Sequence, residues 1–93
     1  MKTYLCKKLY QTHPHHKYYN HLLKENWYIL TDFKGSLYFS DYYLKNPIQV
    51  FRKQDDYFVS DDCNKIMNFE DDFENFSIEL NGKIIRFRSE RIY

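Results

Sequence analysis

Alanine is absent from this 93-residue chain, and glycine, proline and cysteine occur only twice each. Two glycines cannot supply the three of a dinucleotide-binding fingerprint, and the P-loop pattern is missing, which excludes phosphate-cradling loops of either kind. Cys6 and Cys63 form no CxxC pair, so a zinc ribbon or a thioredoxin-like dithiol is excluded. No apolar run approaches the roughly 20 residues that cross a bilayer, and charge interrupts residues 1–8 before a signal-peptide core can form. An unsecreted, cytoplasmic protein is expected, with both thiols free and buried in a reducing compartment. Neither sign of charge dominates, since 14 Lys and Arg face 13 Asp and Glu for a formal charge of +1. That balance excludes a polycation built for phosphate and a uniformly acidic tail.

What is present is aromatic. Ten Tyr, eight Phe and one Trp make up 20% of the chain, far more than a disordered segment carries. A domain this short buries only about 60 to 65% of its unfolded surface, so its core depends on bulky side chains. Each aromatic can bury about 150 to 250 Å², and core packing accounts for most of them. One domain spanning residues 1–93 is expected. The wealth of Tyr, Phe, Lys, Asn and Ile matches A/T-rich codons and points to a low-GC bacterium, or its phages and mobile elements, as the source.

Residues 2–10 alternate, with Thr3, Leu5, Lys7 and Leu9 on one face and Tyr4, Cys6, Lys8 and Tyr10 on the other, the period of a strand. Thr12-His13-Pro14 offers a capping hydroxyl and a first-turn proline, and Tyr18, Leu22 and Leu23 follow at helical spacing, predicting a helix over 14–24. Residues 27–33 and 36–44 suit pleated strands, joined at Lys34-Gly35 as a hairpin. A strand from Ile48 to Lys53 turns at Gln54-Asp55-Asp56 into a short one over 57–60. Ile66, Phe69, Phe73 and Phe76 then fall three, four and three residues apart, predicting a second helix with an acidic outer face. Asn81-Gly82 is the pair best suited to a type I′ turn, and it sets Phe76 against Phe87 and Ile78 against Ile85, with Arg86 and Arg88 pointing away from the core. The predicted order is β-α-β-β-β-β-α-β-β, an α+β domain whose sheet is mostly antiparallel.

No motif names a reaction. His13, His15, His16 and His21 are candidate metal ligands by type, but their spacing brings at most two together on a helix, and no metal or other cofactor is expected. Ser, Cys and His occur in no nucleophile context, and the pairs Asp55-Asp56, Asp61-Asp62 and Asp71-Asp72 suit exposed turns and helix surfaces better than an acid–base cleft. Asp61-Asp62-Cys63-Asn64 lacks the glycine and the glutamate of a calcium loop. A non-enzymatic protein is the expectation.

Charge is distributed unevenly. Residues 2–53 carry nine cations and three anions, residues 54–82 one cation and nine anions, and residues 83–93 four cations and one anion. In the structural reading the acidic side chains face solvent, loosely paired with Arg86, Arg88 and Arg91. In the functional reading Asp55, Asp56, Asp61, Asp62, Glu70, Asp71, Asp72 and Glu74 form one negative surface that docks on a basic, nucleic-acid-binding groove of a larger protein, with Tyr42 and Tyr43 as anchors. Carboxylates on successive helical turns, about 5 to 6 Å apart, would imitate a phosphate backbone. The expected function is therefore an inhibitor of a host defence or nucleic-acid enzyme, carried by a phage or mobile element as a monomer or small homo-oligomer. A toxin-neutralising immunity protein has the same physics. The alternative class is a single-stranded RNA or DNA binder that stacks bases on Tyr and holds phosphates with Lys7, Lys8, Arg86 and Arg88.

Overall fold

A computed structural model describes residues 1–11, 25–70, 73–80 and 82–93. The chain runs through eight strands, β1 (Lys2–Gln11), β2 (Trp27–Phe33), β3 (Ser36–Asp41), β4 (Gln49–Gln54), β5 (Tyr57–Ser60), β6 (Lys65–Glu70), β7 (Asn75–Leu80) and β8 (Lys83–Arg91). Each pairs antiparallel with the next, and β8 returns to β1, so the sheet closes into an up-and-down barrel without edges. Successive turns therefore alternate between the two ends of the barrel. The β2–β3, β4–β5 and β6–β7 turns share one end with the start of β1, here called the lower end; the β3–β4 and β5–β6 loops share the upper end.

This corrects the α+β expectation: no helix lies among the described residues, and the sheet is closed and wholly antiparallel. The predicted first helix, 14–24, falls outside the described residues, as do the four histidines. The second is replaced by the β6–β7 hairpin. The three-four-three spacing of Ile66, Phe69, Phe73 and Phe76 fits a helix, but residues 65–70 also alternate, with Lys65 and Met67 buried and Asn68 and Glu70 exposed. Phe69 faces Phe76 across the hairpin, and Phe73, at φ +75 in the turn, closes on Phe69 with ring centroids 4.4 Å apart. A folded-back chain thus unites Phe69, Phe73 and Phe76, while Ile66 turns to the other face opposite Glu79.

The hairpin readings agree with the structure. Lys34 and Gly35 both take positive φ, 52° and 82°, as a type I′ turn requires. Phe76 faces Phe87, Ile78 faces Ile85, and Ser77 faces Arg86 across β7 and β8. In β1, Tyr4 and Cys6 are buried while Lys7 is exposed.

Eight strands enclose a space that side chains can just fill, and here rings fill it. Phe39 lies at the centre, stacked on Tyr28 at 4.9 Å and edge-on to Phe51, Phe76 and Phe87 at 6.3, 6.0 and 5.5 Å. Below them Phe73 meets Tyr4 at 5.2 Å, sealing the lower end. The Ser89 amide donates to the Glu74 carbonyl at 2.7 Å and the Ser89 hydroxyl to the Phe73 carbonyl, which fixes that plug. An aromatic interior behind outward Lys7, Asn68, Ser77, Glu79 and Arg88 reverses the apolar-out, polar-in order of outer-membrane barrels. Function must then reside on the outer walls and the loops. Of the two thiols only Cys6 is buried, and burial pushes it well above its ordinary range; Cys63 is exposed, contrary to expectation, because it sits at φ +63 in the β5–β6 loop.

Candidate functional site

The barrel divides the acidic residues. Asp55 and Asp56 in the β4–β5 turn and Glu70 and Glu74 beside the β6–β7 turn lie toward the lower end, whereas Asp61 and Asp62 occupy the β5–β6 loop at the upper end. Asp71 and Asp72 fall outside the described residues. Three of the carboxylates of this acidic set meet the chain's own cations: Asp61 with Arg52 at 3.0 Å, Asp62 with Lys65 at 3.3 Å and Glu70 with Arg86 at 3.2 Å. Lys65 is fully buried and also donates to the Asn64 amide oxygen at 2.8 Å. Burial works to raise the Asp62 carboxyl, but hydrogen bonds from the Ser60 hydroxyl and the Asn64 amide, together with the Lys65 charge, hold it below its ordinary value. With no helix beneath them, these residues present no phosphate-like row.

A different set converges. Lys7 on β1 faces Trp27 on β2 and Arg88 on β8, and Leu5 faces Ile29 and Glu90. The Tyr42 amide donates to the Trp27 carbonyl at 2.9 Å, extending the β2–β3 ladder by one residue and setting Tyr42 beside Trp27. Tyr43 lies edge-on to Tyr42 at 5.3 Å. The result is an unbroken outward row: Arg88, Lys7, Trp27, Tyr42, Tyr43. The Lys7 ammonium sits 5.5 Å above the Trp27 ring, and the Lys45 ammonium 5.7 Å above Tyr43 while paired with Glu25 at 3.4 Å.

The loop that carries this row is held from inside. Asp41, fully buried at the end of β3, accepts the amides of Lys45 at 2.9 Å and Asn46 at 3.0 Å, and its carbonyl accepts the amide of Leu44 at 3.1 Å. Burial works to raise the Asp41 carboxyl, yet the Lys45 and Asn46 donors hold it below its ordinary value. The clamp keeps Leu44 at φ +55, a left-handed conformation that costs a non-glycine residue about 1 to 2 kcal/mol. Trp27, Tyr42, Tyr43 and Leu44 stay 38, 53, 61 and 67% exposed.

Two clefts flank the Leu5–Trp27 ridge. One, of about 220 Å³, is lined by Leu5, Trp27, Tyr42 and Tyr43; the other, of about 340 Å³, by Leu5, Lys7, Trp27, Arg88, Ser89 and Glu90. Among the described residues no group of three His, Cys, Asp or Glu is placed to hold a metal ion.

Of the cations named for nucleic acid, Lys7 and Arg88 join the row and Arg86 turns to Glu70. Lys8 faces the buried Phe87 across β1 and β8, and burial lowers its ammonium while Glu25 acts in the opposite direction. Tyr42 and Tyr43, named from the sequence as candidate anchors, are exposed neighbours in this row. Sequence reasoning missed Leu5, Trp27, Leu44 and Lys45. The lone tryptophan, opening a strand beside a glutamate and an asparagine, was the available signal. Comparisons with protein-family models, with curated proteins and with solved structures find no match for this chain.

Proposed function

We propose that this chain is a non-enzymatic protein-binding module that covers a surface of a larger protein with the face centred on Trp27, Tyr42, Tyr43 and Leu44. The clamped β3–β4 loop carries the reading. A buried carboxylate fixes a loop whose tip is crowded with exposed rings; positive φ recurs in the turns at Lys34, Asp55, Cys63 and Phe73, and it is the joining of a fixed backbone with exposed rings that supports a binding face here. Trp, Tyr and Arg are the residue types that dominate binding hot spots, and a preordered loop loses little entropy on docking. Occlusion, and hence inhibition of whatever the covered surface does, is the direct consequence.

Base stacking fits the same rings less well. The chain's own ammonium groups already lie over Trp27 and Tyr43, so a base would have to displace them, whereas the clefts beside the rings are open to side chains. The test uses the full chain as bait under photo-crosslinking from position 38, outside the face, and from position 43 within it. A single host protein crosslinked from 43 and not from 38, and lost in the Trp27→Ser, Leu44→Ser double variant with an unchanged melting temperature, is the expected result. Crosslinking that is equal from both positions, or that survives the double variant, overturns the reading.

A further inference from the structure

The partner's chemistry is written in the charge beside the rings; this inference rests on the face proposed above and specifies what it holds. Lys7 and Arg88 are direct neighbours across the β1–β8 seam, both outward and both exposed. Like charges directly opposite one another destabilise a sheet. Arg52 and Arg86, on the acidic side of the barrel, each have a carboxylate within 4 Å. At the seam no carboxylate, Glu90 included, comes within 4 Å of either cation among the described residues, although Glu90 lines the same cleft. Next to this pair, across the Leu5–Trp27 ridge, lies the open apolar cleft lined by Tyr42 and Tyr43.

We infer that this face binds an acidic and apolar peptide segment of the partner, with a carboxylate seated between Lys7 and Arg88 and a large apolar side chain in the Leu5, Trp27, Tyr42, Tyr43 cleft. The carboxylate relieves the repulsion that the free domain carries, and a guanidinium can grip it with two parallel hydrogen bonds. Because the clefts share Leu5 and Trp27, the two anchors come from adjacent or alternate residues of one segment. Charge complementarity of this kind accelerates encounter and is weakened by salt. The volume suits the apolar anchor: about 220 Å³ equals the space of roughly seven waters at about 30 Å³ each, room for one aliphatic or aromatic side chain.

A randomised peptide library displayed on phage, panned against the full chain at physiological salt, tests this. The expected outcome is enrichment of Asp or Glu next to Leu, Ile, Phe or Trp. Binding of the winning peptide, followed by fluorescence anisotropy, should weaken about tenfold or more in Lys7→Gln, Arg88→Gln, and equally when its acidic residue becomes the amide. Charge reversal at both positions should turn the selection toward Lys and Arg. Melting temperatures confirm that each variant folds. Enrichment of basic or uncharged peptides, no enrichment at all, or affinity indifferent to the double variant overturns the acidic partner and leaves the aromatic face standing. Peptide binding that survives Trp27→Ser, Leu44→Ser overturns the face itself. Tighter binding of oligothymidylate than of any selected peptide, through the same two cations, overturns the peptide class.

Discussion

Two charged regions of this barrel behave in opposite ways. Around β5, β6 and β7 the carboxylates Asp61, Asp62 and Glu70 each lie against a cation of the same chain. Across the β8–β1 seam, Lys7 and Arg88 lie against each other. The difference follows from barrel closure. The acidic segment, 54–82, is bordered by β4 and β8, which belong to the basic segments, so Arg52 and Arg86 reach over and neutralise its margins. Closure then joins the first basic segment to the last, and among the described residues no carboxylate lies within 4 Å of Lys7 or Arg88 at that seam. On the acidic side three carboxylates are paired within the chain; Lys7 and Arg88, with no carboxylate within 4 Å among the described residues, sit where exposed rings gather.

Five substitutions press on this contrast. Phe39→Ala removes the ring that both regions share and should cost about 3 to 5 kcal/mol, a large part of the stability of a domain this size, measured by urea unfolding. Loss of less than about 1 kcal/mol would show that the barrel interior is not packed as described. Asp62→Asn removes the one carboxylate within 4 Å of the buried Lys65 ammonium among the described residues and should cost about 1 to 3 kcal/mol. The same pair gives a pH signature. Because the folded Asp62 carboxyl titrates below its unfolded value, its stabilisation is complete above the unfolded value near 4 and fades as pH falls through the lower, folded one. Wild type and Asp62→Asn should therefore converge in stability in strong acid, and parallel acid-unfolding profiles would break the assignment.

Asp41→Ala releases the loop on the other side of the contrast, costing about 1 to 2 kcal/mol while freeing Leu44 from its strained φ. Amide exchange at Lys45 and Asn46 should accelerate with little change in the core strands. Uniform acceleration throughout the barrel would deny the clamp a local role. The smallest effect is the sharpest: Arg88→Gln removes the repulsion with Lys7 and should stabilise the free domain by a few tenths of a kcal/mol, about 1 to 3 °C in melting temperature, whereas Arg86→Gln loses its pairing with Glu70 and should not. Equal shifts for the two arginines would erase the distinction between the regions.

Much of the strand pattern was legible in the sequence. Alternation over residues 2–8 and the turn chemistry of Lys34-Gly35 are local signals that the structure keeps, although β1 shifts register between Lys8 and Tyr10, and β7 and β8 pair in the register read from the sequence. The β6–β7 hairpin was not legible, because phenylalanines three and four apart satisfy a helical stripe as well as a folded-back pair. Only contact across the closed barrel, with Phe73 reaching Tyr4, decides between the two. That Tyr42 and Tyr43 stay exposed could be read from the sequence, but which residues adjoin them could not, since Leu5, Lys7 and Trp27 come from strands separated by residues 12–26.

By itself, the sequence determined that this chain would fold around aromatic rings, turn at its two glycines, and hold its charges in three alternating blocks. Those are properties of composition and of neighbours along the chain. Which charges cancel and which stay exposed was decided only by the tertiary structure, because electrostatic interaction depends on distance in space, and the closing of β8 onto β1 sets the distances between the first basic block and the last.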